Sequence, residues 1–217
     1  MTPLAVGLLL QGRRVLVVGA GPVALGKIER LLASRAVVTV VAPDVLPEIR
    51  ALAAQGRLAI AQREFVPQDL DDVWFCLTAT GRDRVDIEVF AACEARHLLC
   101  NAADVPDACS VYLMAQEDAG PLTLAVGTKG AAPGLSGRLA REARSAWPAD
   151  VADLVARYGS VRQWLKGAHP GMAQLYQRTA ALRWLAQQPW AFLRRPEQEL
   201  REAVAAAMKS EPPQRPR

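Results

Sequence analysis

The chain lacks several patterns that mark common classes of protein. No stretch reaches the roughly 18 consecutive apolar residues of a membrane-spanning helix, so no membrane association is expected. The apolar run at residues 4–10 has no Lys or Arg before it, which predicts a first strand or strand-like arm rather than a signal peptide. The four cysteines show no C-x-x-C spacing, so we expect reduced and mostly buried thiols, no metal site and a cytoplasmic protein.

Histidine is scarce as well. His97 and His169 are the only two; the first precedes an expected buried strand, and the second lies beside Pro170 in an expected loop. Neither is a persuasive catalytic base, and nothing in the sequence supports a Ser-His-Asp or Cys-His arrangement.

Positive charge is concentrated in the last third of the chain. Residues 1–137 contain 12 Lys and Arg against 15 Asp and Glu, a net charge of −3, whereas residues 138–217 contain 14 against 7, a net charge of +7. This basic region predicts an anionic partner or, equally well, a solvated set of Arg-rich helices. The arginines form no dense run interleaved with aromatic residues, so nucleic acid is not expected as a partner.

The strongest positive signal lies in residues 15–24, VLVVGAGPVA. An apolar run of strand type ends at two glycines and passes into a helical pattern, and this G-x-G-x-x-A turn is typical of dinucleotide-binding sites. Gly19 permits the tight turn, Gly21 lets the backbone approach a pyrophosphate, and the free N–H groups of the helix would bind it. The predicted cofactor-binding residues of this turn are Gly19, Ala20, Gly21, Pro22 and Val23.

Two later segments are predicted to contribute to the same site. Pro43 and Asp44 follow the second expected strand, where Asp44 either reaches the adenosine ribose or caps the next helix. No arginine follows directly to hold a 2′-phosphate, which favours NAD over NADP. Thr80 follows the fourth expected strand. It either lies in a loop beside the cofactor or belongs to an ordinary strand-to-helix turn.

Strand and helix patterns alternate up to about residue 115, which is typical of an α/β fold with a doubly wound parallel sheet. A short strand-helix element and a helical C-terminal domain follow. The predicted strands are 14–18, 37–41, 58–63, 73–78, 98–101 and 122–127, and the predicted helices are 22–34, 46–55, 84–96, 133–147, 150–166, 172–187 and 196–209. The predicted domains are a Rossmann domain at 1–115, a dimerisation element at 116–147, a helical domain at 148–209 and a disordered tail at 210–217.

Asn101-Ala-Ala-Asp104 follows the fifth expected strand at the carboxyl edge of the sheet. A carboxylate there would lie near the nicotinamide end of a dinucleotide, where it could accept a proton as a hydride leaves. The alternative is a turn or capping role for Asp104 ahead of Val105 and Pro106.

Taken in order, these segments resemble the precorrin-2 dehydrogenase / sirohydrochlorin ferrochelatase family, whose module also forms the N-terminal half of siroheme synthases. The likeness covers about residues 4–147, and the Asn-x-x-Asp-x-Pro segment with the turn at 130–133 is its most specific part. The other matching stretches are 12–24 with Lys27, 38–43, 79–80 and 121–126.

This resemblance implies a function. Family members oxidise precorrin-2 to sirohydrochlorin with NAD, and many then insert Fe²⁺, which is a substrate and not a bound cofactor. Asp104 would be the catalytic residue, and Asn101, Ser110 and Thr128 would border the tetrapyrrole. The resemblance also implies a homodimer formed through residues 116–147.

Some positions depart from the family pattern, among them Gly81, Asp86 and Ser136 to Arg138. These departures leave the cofactor turn and Asp104 intact, so oxidation is expected, while iron insertion stays open. The alternatives are a dehydrogenase without chelatase activity, a relative without activity that stabilises a partner, and an NAD-sensing regulatory module.

Overall fold

The computed structural model describes residues 3–103 and 105–209, without the side chain of Pro133. Asp104 and the tail at 210–217, for which a catalytic role and disorder are predicted, lie outside the described residues. The chain divides into two compact units, Met1–Met114 with Gly127–Pro133 and Ala115–Val126 with Gly134–Arg217.

The first unit is built on a five-stranded parallel sheet. Its order is β3-β2-β1-β4-β5, which confirms the predicted Rossmann-type fold. The strands are β1 (Arg14–Val18), β2 (Val37–Val41), β3 (Ala59–Ala61), β4 (Phe75–Thr78) and β5 (Leu99–Ala102). The helices are α1 (Pro22–Ala33), α2 (Pro47–Ala54) and α3 (Asp83–Glu94), with short 3₁₀ turns at Pro67–Leu70 and Pro106–Ala108.

The sheet separates two apolar layers in this unit, and β1 contributes side chains to both. Val15 and Val17 face the layer that contains Ile28 of α1, whereas Leu16 and Val18 face the layer that contains Val89 of α3. Successive side chains of a strand point to opposite faces, so an uninterrupted run of apolar residues lets a central strand be buried on both sides. Strands β2 and β3 extend the sheet on one side of β1, and β4 and β5 extend it on the other side. A crevice therefore opens between the carboxyl ends of β1 and β4.

The second unit contains a hairpin and a helical core. Strands β6 (Ala115–Ala119) and β7 (Leu122–Val126) pair in antiparallel register. The helices are α4 (Pro133–Ser145), α5 (Val151–Ala168), α6 (Leu175–Ala186), α7 (Trp190–Leu193) and α8 (Glu197–Lys209). Helices α5, α6 and α8 share one apolar core that includes Leu165, Leu185 and Leu200.

The structure corrects parts of the predicted layout. No strand forms in the described residues up to Leu10; Leu8 and Leu10 pack on the sheet core, whereas Leu9 is 89% exposed. The strand at 122–127 pairs in a separate hairpin with the unpredicted β6. The predicted helix at 172–187 is interrupted, since Met172–Gln174 is a 3₁₀ turn. Within the described residues, no helix is both long and apolar enough to cross a bilayer.

Candidate dinucleotide-binding site

A cavity of about 710 Å³ opens at the carboxyl ends of β1, β2 and β4. Its size is within the range of small-molecule sites, and it lies at the switch point of the sheet, where ligands of such folds bind. The eight residues predicted to bind the cofactor all line it: Gly19, Ala20, Gly21, Pro22, Val23, Pro43, Asp44 and Thr80. That these residues bind NAD stays a prediction.

Gly19 makes the close approach between the first turn and the end of β4. Its φ is +102°, and a Cβ there would lie 2.4 Å from the carbonyl oxygen of Ala79. Its N–H donates to the carbonyl of Val41 at 2.9 Å, which ties the turn to β2 as well. Only glycine satisfies both the backbone conformation and this contact.

Gly21 has a different reason to be glycine. It precedes α1, its backbone is extended, and a Cβ there would meet nothing within 4 Å. The first helical hydrogen bond runs from Leu25 to Gly21 at 3.0 Å, so the N–H groups of Val23 and Ala24 have no acceptor within the helix. Open space beside Gly21, at the N-terminus of a helix, suits a pyrophosphate.

The loop after β2 is fastened to the glycine turn. Leu46 donates its N–H to the carbonyl of Ala20 at 3.1 Å, and Gln62 donates its side-chain amide to the carbonyl of Pro43 at 3.0 Å. Asp44 between them is exposed and lines the cavity. Its carboxylate is therefore free to accept hydrogen bonds from a ribose diol.

Asp86, which departs from the family pattern, forms a part of the site that was not predicted from the sequence. Its side chain is 1% exposed, and it accepts hydrogen bonds from the hydroxyls of Thr78 and Thr80, the latter at 2.8 Å. The N–H of Thr80 also points to the same oxygen, at 3.3 Å. A buried carboxylate thus holds the loop after β4 against the cavity. In the sequence, the two threonines six and eight residues before Asp86 were the only pattern that could have predicted these contacts.

The three predicted substrate-binding residues do not line this cavity. Asn101 is buried, donates to the carbonyl of Val111 at 2.9 Å and accepts from Lys27 at 3.4 Å. The Ser110 hydroxyl bonds the backbone of Cys100, and the Thr128 hydroxyl accepts from the N–H of Ala132 at 3.2 Å. These contacts organise backbone, and contact with a substrate stays a prediction for all three.

Cys109 bridges the segment on both sides of position 104. Its sulfur lies 3.2 Å from the N–H of Ala102 and 3.5 Å from the carbonyl of Val105. Burial raises the pKa of the Cys109 thiol, so the thiol is protonated near neutral pH and able to donate. This contact positions the loop after β5 and was not predicted from the sequence.

Comparison with known proteins gives consistent results. Residues 6–115 match the family NAD_binding_7, described as NAD(P)-binding. Siroheme synthase 1 of Aeromonas hydrophila is 33% identical over 207 residues, which cover 94% of this chain and 44% of that protein. Siroheme synthase 1 of Yersinia enterocolitica is 36% identical over 157 residues, 72% of this chain and 33% of that protein. The chain thus spans less than half the length of these relatives.

A solved structure covers the chain more completely. SirC, a precorrin-2 dehydrogenase, superimposes with a TM-score of 0.73 at 26% sequence identity, over 94% of this chain and 100% of that one. The family resemblance predicted from the sequence is thereby confirmed. The glycine turn, the crevice at the switch point and these matches together mean that the chain belongs to the NAD(P)-binding family NAD_binding_7.

Proposed function

We propose that the chain oxidises precorrin-2 to sirohydrochlorin with NAD as the oxidant. The observation that carries this proposal is the similarity to a precorrin-2 dehydrogenase over the full length of that structure. The cavity at the end of β1 supports it independently, because Gly21 and Val23 line it at the N-terminus of α1, where the N–H of Val23 has no acceptor within the helix.

The preference for NAD over NADP rests on Asp44. An exposed carboxylate at the end of the second strand accepts hydrogen bonds from both ribose hydroxyls, and it repels a 2′-phosphate at the same place. Asp44→Ala should therefore narrow the difference in affinity between NAD and NADP.

Oxidation removes a hydride and a proton from the tetrapyrrole. The nicotinamide of bound NAD supplies the hydride acceptor, and a protein base must take the proton. In the mechanism that we propose, Asp104 is that base, while Cys109 and Asn101 hold the backbone on either side of it. If the same base also takes pyrrole N–H protons, Fe²⁺ can enter as a second substrate.

The basic residues of 138–217 support an anionic substrate, because the carboxylates of a tetrapyrrole are drawn to net positive charge. A homodimer formed through residues 116–147 and a cytoplasmic location belong to the same proposal. Sedimentation of the purified chain tests the dimer directly.

An anaerobic assay with precorrin-2 and NAD tests the function, followed by Fe²⁺ in the same cuvette. We expect NADH and sirohydrochlorin to form in equal amounts. A further absorbance change above the no-enzyme blank after Fe²⁺ is added identifies a chelatase, and no change identifies a dehydrogenase only. NAD binding without NADH formation would contradict the proposal and favour a sensing module.

Asp104→Ala tests the base. We expect turnover to fall by about 10²–10⁴-fold, the usual contribution of a positioned general base, with the Kd for NAD unchanged. Asp107→Ala is the matched control, since Asp107 is an exposed carboxylate three residues further along. Wild-type turnover in Asp104→Ala would rule out this mechanism.

A further inference from the structure

Three thiols that are far apart in sequence meet inside the first unit. Cys76 of β4 and Cys100 of β5 are direct partners in the parallel register, and Cys93 lies on the buried face of α3. All three residues are 0% exposed. Their sulfur atoms lie within 4.8 Å of one another.

The spacing of these sulfurs suits one central ion. Bonds of about 2.3 Å from an ion to three thiolates hold the sulfurs about 3.5 Å apart in a pyramidal arrangement and about 4 Å apart in a planar one. In the part of the chain that the structure describes, no His, Asp, Glu or further Cys joins the group as a fourth ligand. The site therefore offers three soft ligands, and thiolates of this kind select thiophilic ions.

The surroundings of the cluster select the charge of the ion. Buried neighbours such as Leu16, Leu70 and Val89 are aliphatic, and a net charge among them would be strongly penalised. Three thiolates leave a net charge on a monovalent or divalent ion, whereas a trivalent ion gives a neutral complex. As(III) is trivalent and thiophilic, and it binds three ligands in a trigonal pyramid.

We propose that Cys76, Cys93 and Cys100 form a binding site for As(III). Arsenous acid, As(OH)₃, exchanges its three hydroxyl groups for three thiolates, so that three S–H bonds break, three As–S bonds form and three waters leave. No oxidation state changes, and no other reactant is required.

This site is separate from the dinucleotide cavity, because none of the three cysteines lines it. Helix α3 connects the two, since its buried face presents Asp86 near the cavity and Cys93 seven residues further on. Entry of an ion requires α3 to open from the sheet, so binding should be slow and should stabilise the closed unit.

The full chain is titrated with arsenite under reducing conditions. We expect one As(III) per chain by mass spectrometry, with only Cys109 still reactive to a thiol reagent. A ligand that prefers the folded state stabilises it, and binding to thiols of the unfolded chain reduces the effect, so Tm should rise, by at most about 10 °C at roughly 100 times the Kd. Parallel titrations with Zn²⁺ and Cd²⁺ should give smaller shifts.

Three variants make the assignment specific. Cys93→Ala and Cys100→Ala, each checked for native circular dichroism, should lose the Tm shift, and Cys109→Ala should keep it. Persistence of the shift in both folded cluster variants would overturn the proposal. So would a fall in the Tm of the wild-type chain with arsenite, or a larger stabilisation by Zn²⁺ than by As(III).

Discussion

Two glycines of the first turn are required for different physical reasons. At Gly19 an added Cβ meets the backbone of Ala79, and the positive φ is unfavourable for any other residue. At Gly21 an added Cβ meets only open space. The fold therefore requires the first glycine, and we propose that dinucleotide binding requires the second.

Substitution by alanine separates these roles. We expect Gly19→Ala to lower the free energy of unfolding by about 2–4 kcal/mol, from backbone strain and the clash with Ala79. We expect Gly21→Ala to stay within about 0.5 kcal/mol of wild type, but to bind NAD at least about 10-fold more weakly, because a methyl group occupies the pyrophosphate approach. Thermal denaturation measures the change in stability, and calorimetric titration measures the affinity for NAD. Wild-type NAD affinity in Gly21→Ala would refute this assignment.

Asp86 allows a second test at the residue scale. Asp86→Ala removes the acceptor shared by Thr78 and Thr80 and leaves a buried hydroxyl unpaired, which costs about 1–3 kcal/mol of stability. The KM for NAD should also rise, since Thr80 lines the cavity.

Asp86→Asn is the control for that test. The asparagine oxygen still accepts from both threonines, so we expect less than about 1 kcal/mol of lost stability and a near-normal KM. Equal losses in both variants would mean that Asp86 acts through its charge instead.

The end of β3 is joined to the following 3₁₀ turn by an ion pair. Arg63 contacts both carboxylate oxygens of Asp69, at 2.8 and 2.5 Å, and the N–H of Val66 donates to the same carboxylate at 2.9 Å. The hydrogen bonds from Arg63 lower the pKa of Asp69. The folded chain therefore holds this carboxylate ionised to lower pH than the unfolded chain.

The sign of the pH dependence follows from that shift. The contribution of Asp69 is complete above its unfolded pKa of about 3.9 and is lost as pH falls through its lower folded pKa. Because Arg63 is partly exposed, we expect only about 1 kcal/mol at neutral pH. Asp69→Asn should lose this stability at pH 7 but match wild type near pH 2 in urea unfolding. A deficit that persists near pH 2 would argue against the ion pair.

The elements differ in how far the sequence predicts them. The bounds of β1 and β2 match the prediction residue for residue, because a run of apolar or β-branched residues, four after Arg14 in β1 and five in β2, suits a buried parallel strand. Strand β6 was missed, since Gln116, Glu117 and Asp118 are poor strand formers and only the pairing with β7 defines it.

The residues of the site also differ in how well the local sequence predicts them. The glycine turn is local, so the sequence predicts it well. The Asp86 contacts and the three-thiol cluster depend on how α3 packs across β4 and β5, and no spacing along the chain reveals that register.

On the scale of the whole molecule, charge is divided between a slightly acidic first part and a basic last third. If the basic part attracts an anionic substrate, salt should weaken that attraction over the Debye length, which is about 10 Å at 0.1 M. We expect the KM for precorrin-2 to rise several-fold between roughly 0.05 and 0.5 M salt, with kcat little changed. A salt-independent KM would mean that the arginines are only solvated surface residues of the helices and do not attract the substrate.

The order of the sheet also has a consequence for how the chain folds. Val15 of β1 pairs with Val38 on one side and with Phe75 on the other, and the second pairing closes a much longer loop. Longer loops lose more entropy on closure, so β1, β2 and their connecting helix should associate before β4 docks. The crevice between β1 and β4 exists only after that late step. A dinucleotide can therefore bind only after β4 has joined the sheet. During refolding, the onset of dinucleotide binding would report when β4 docks.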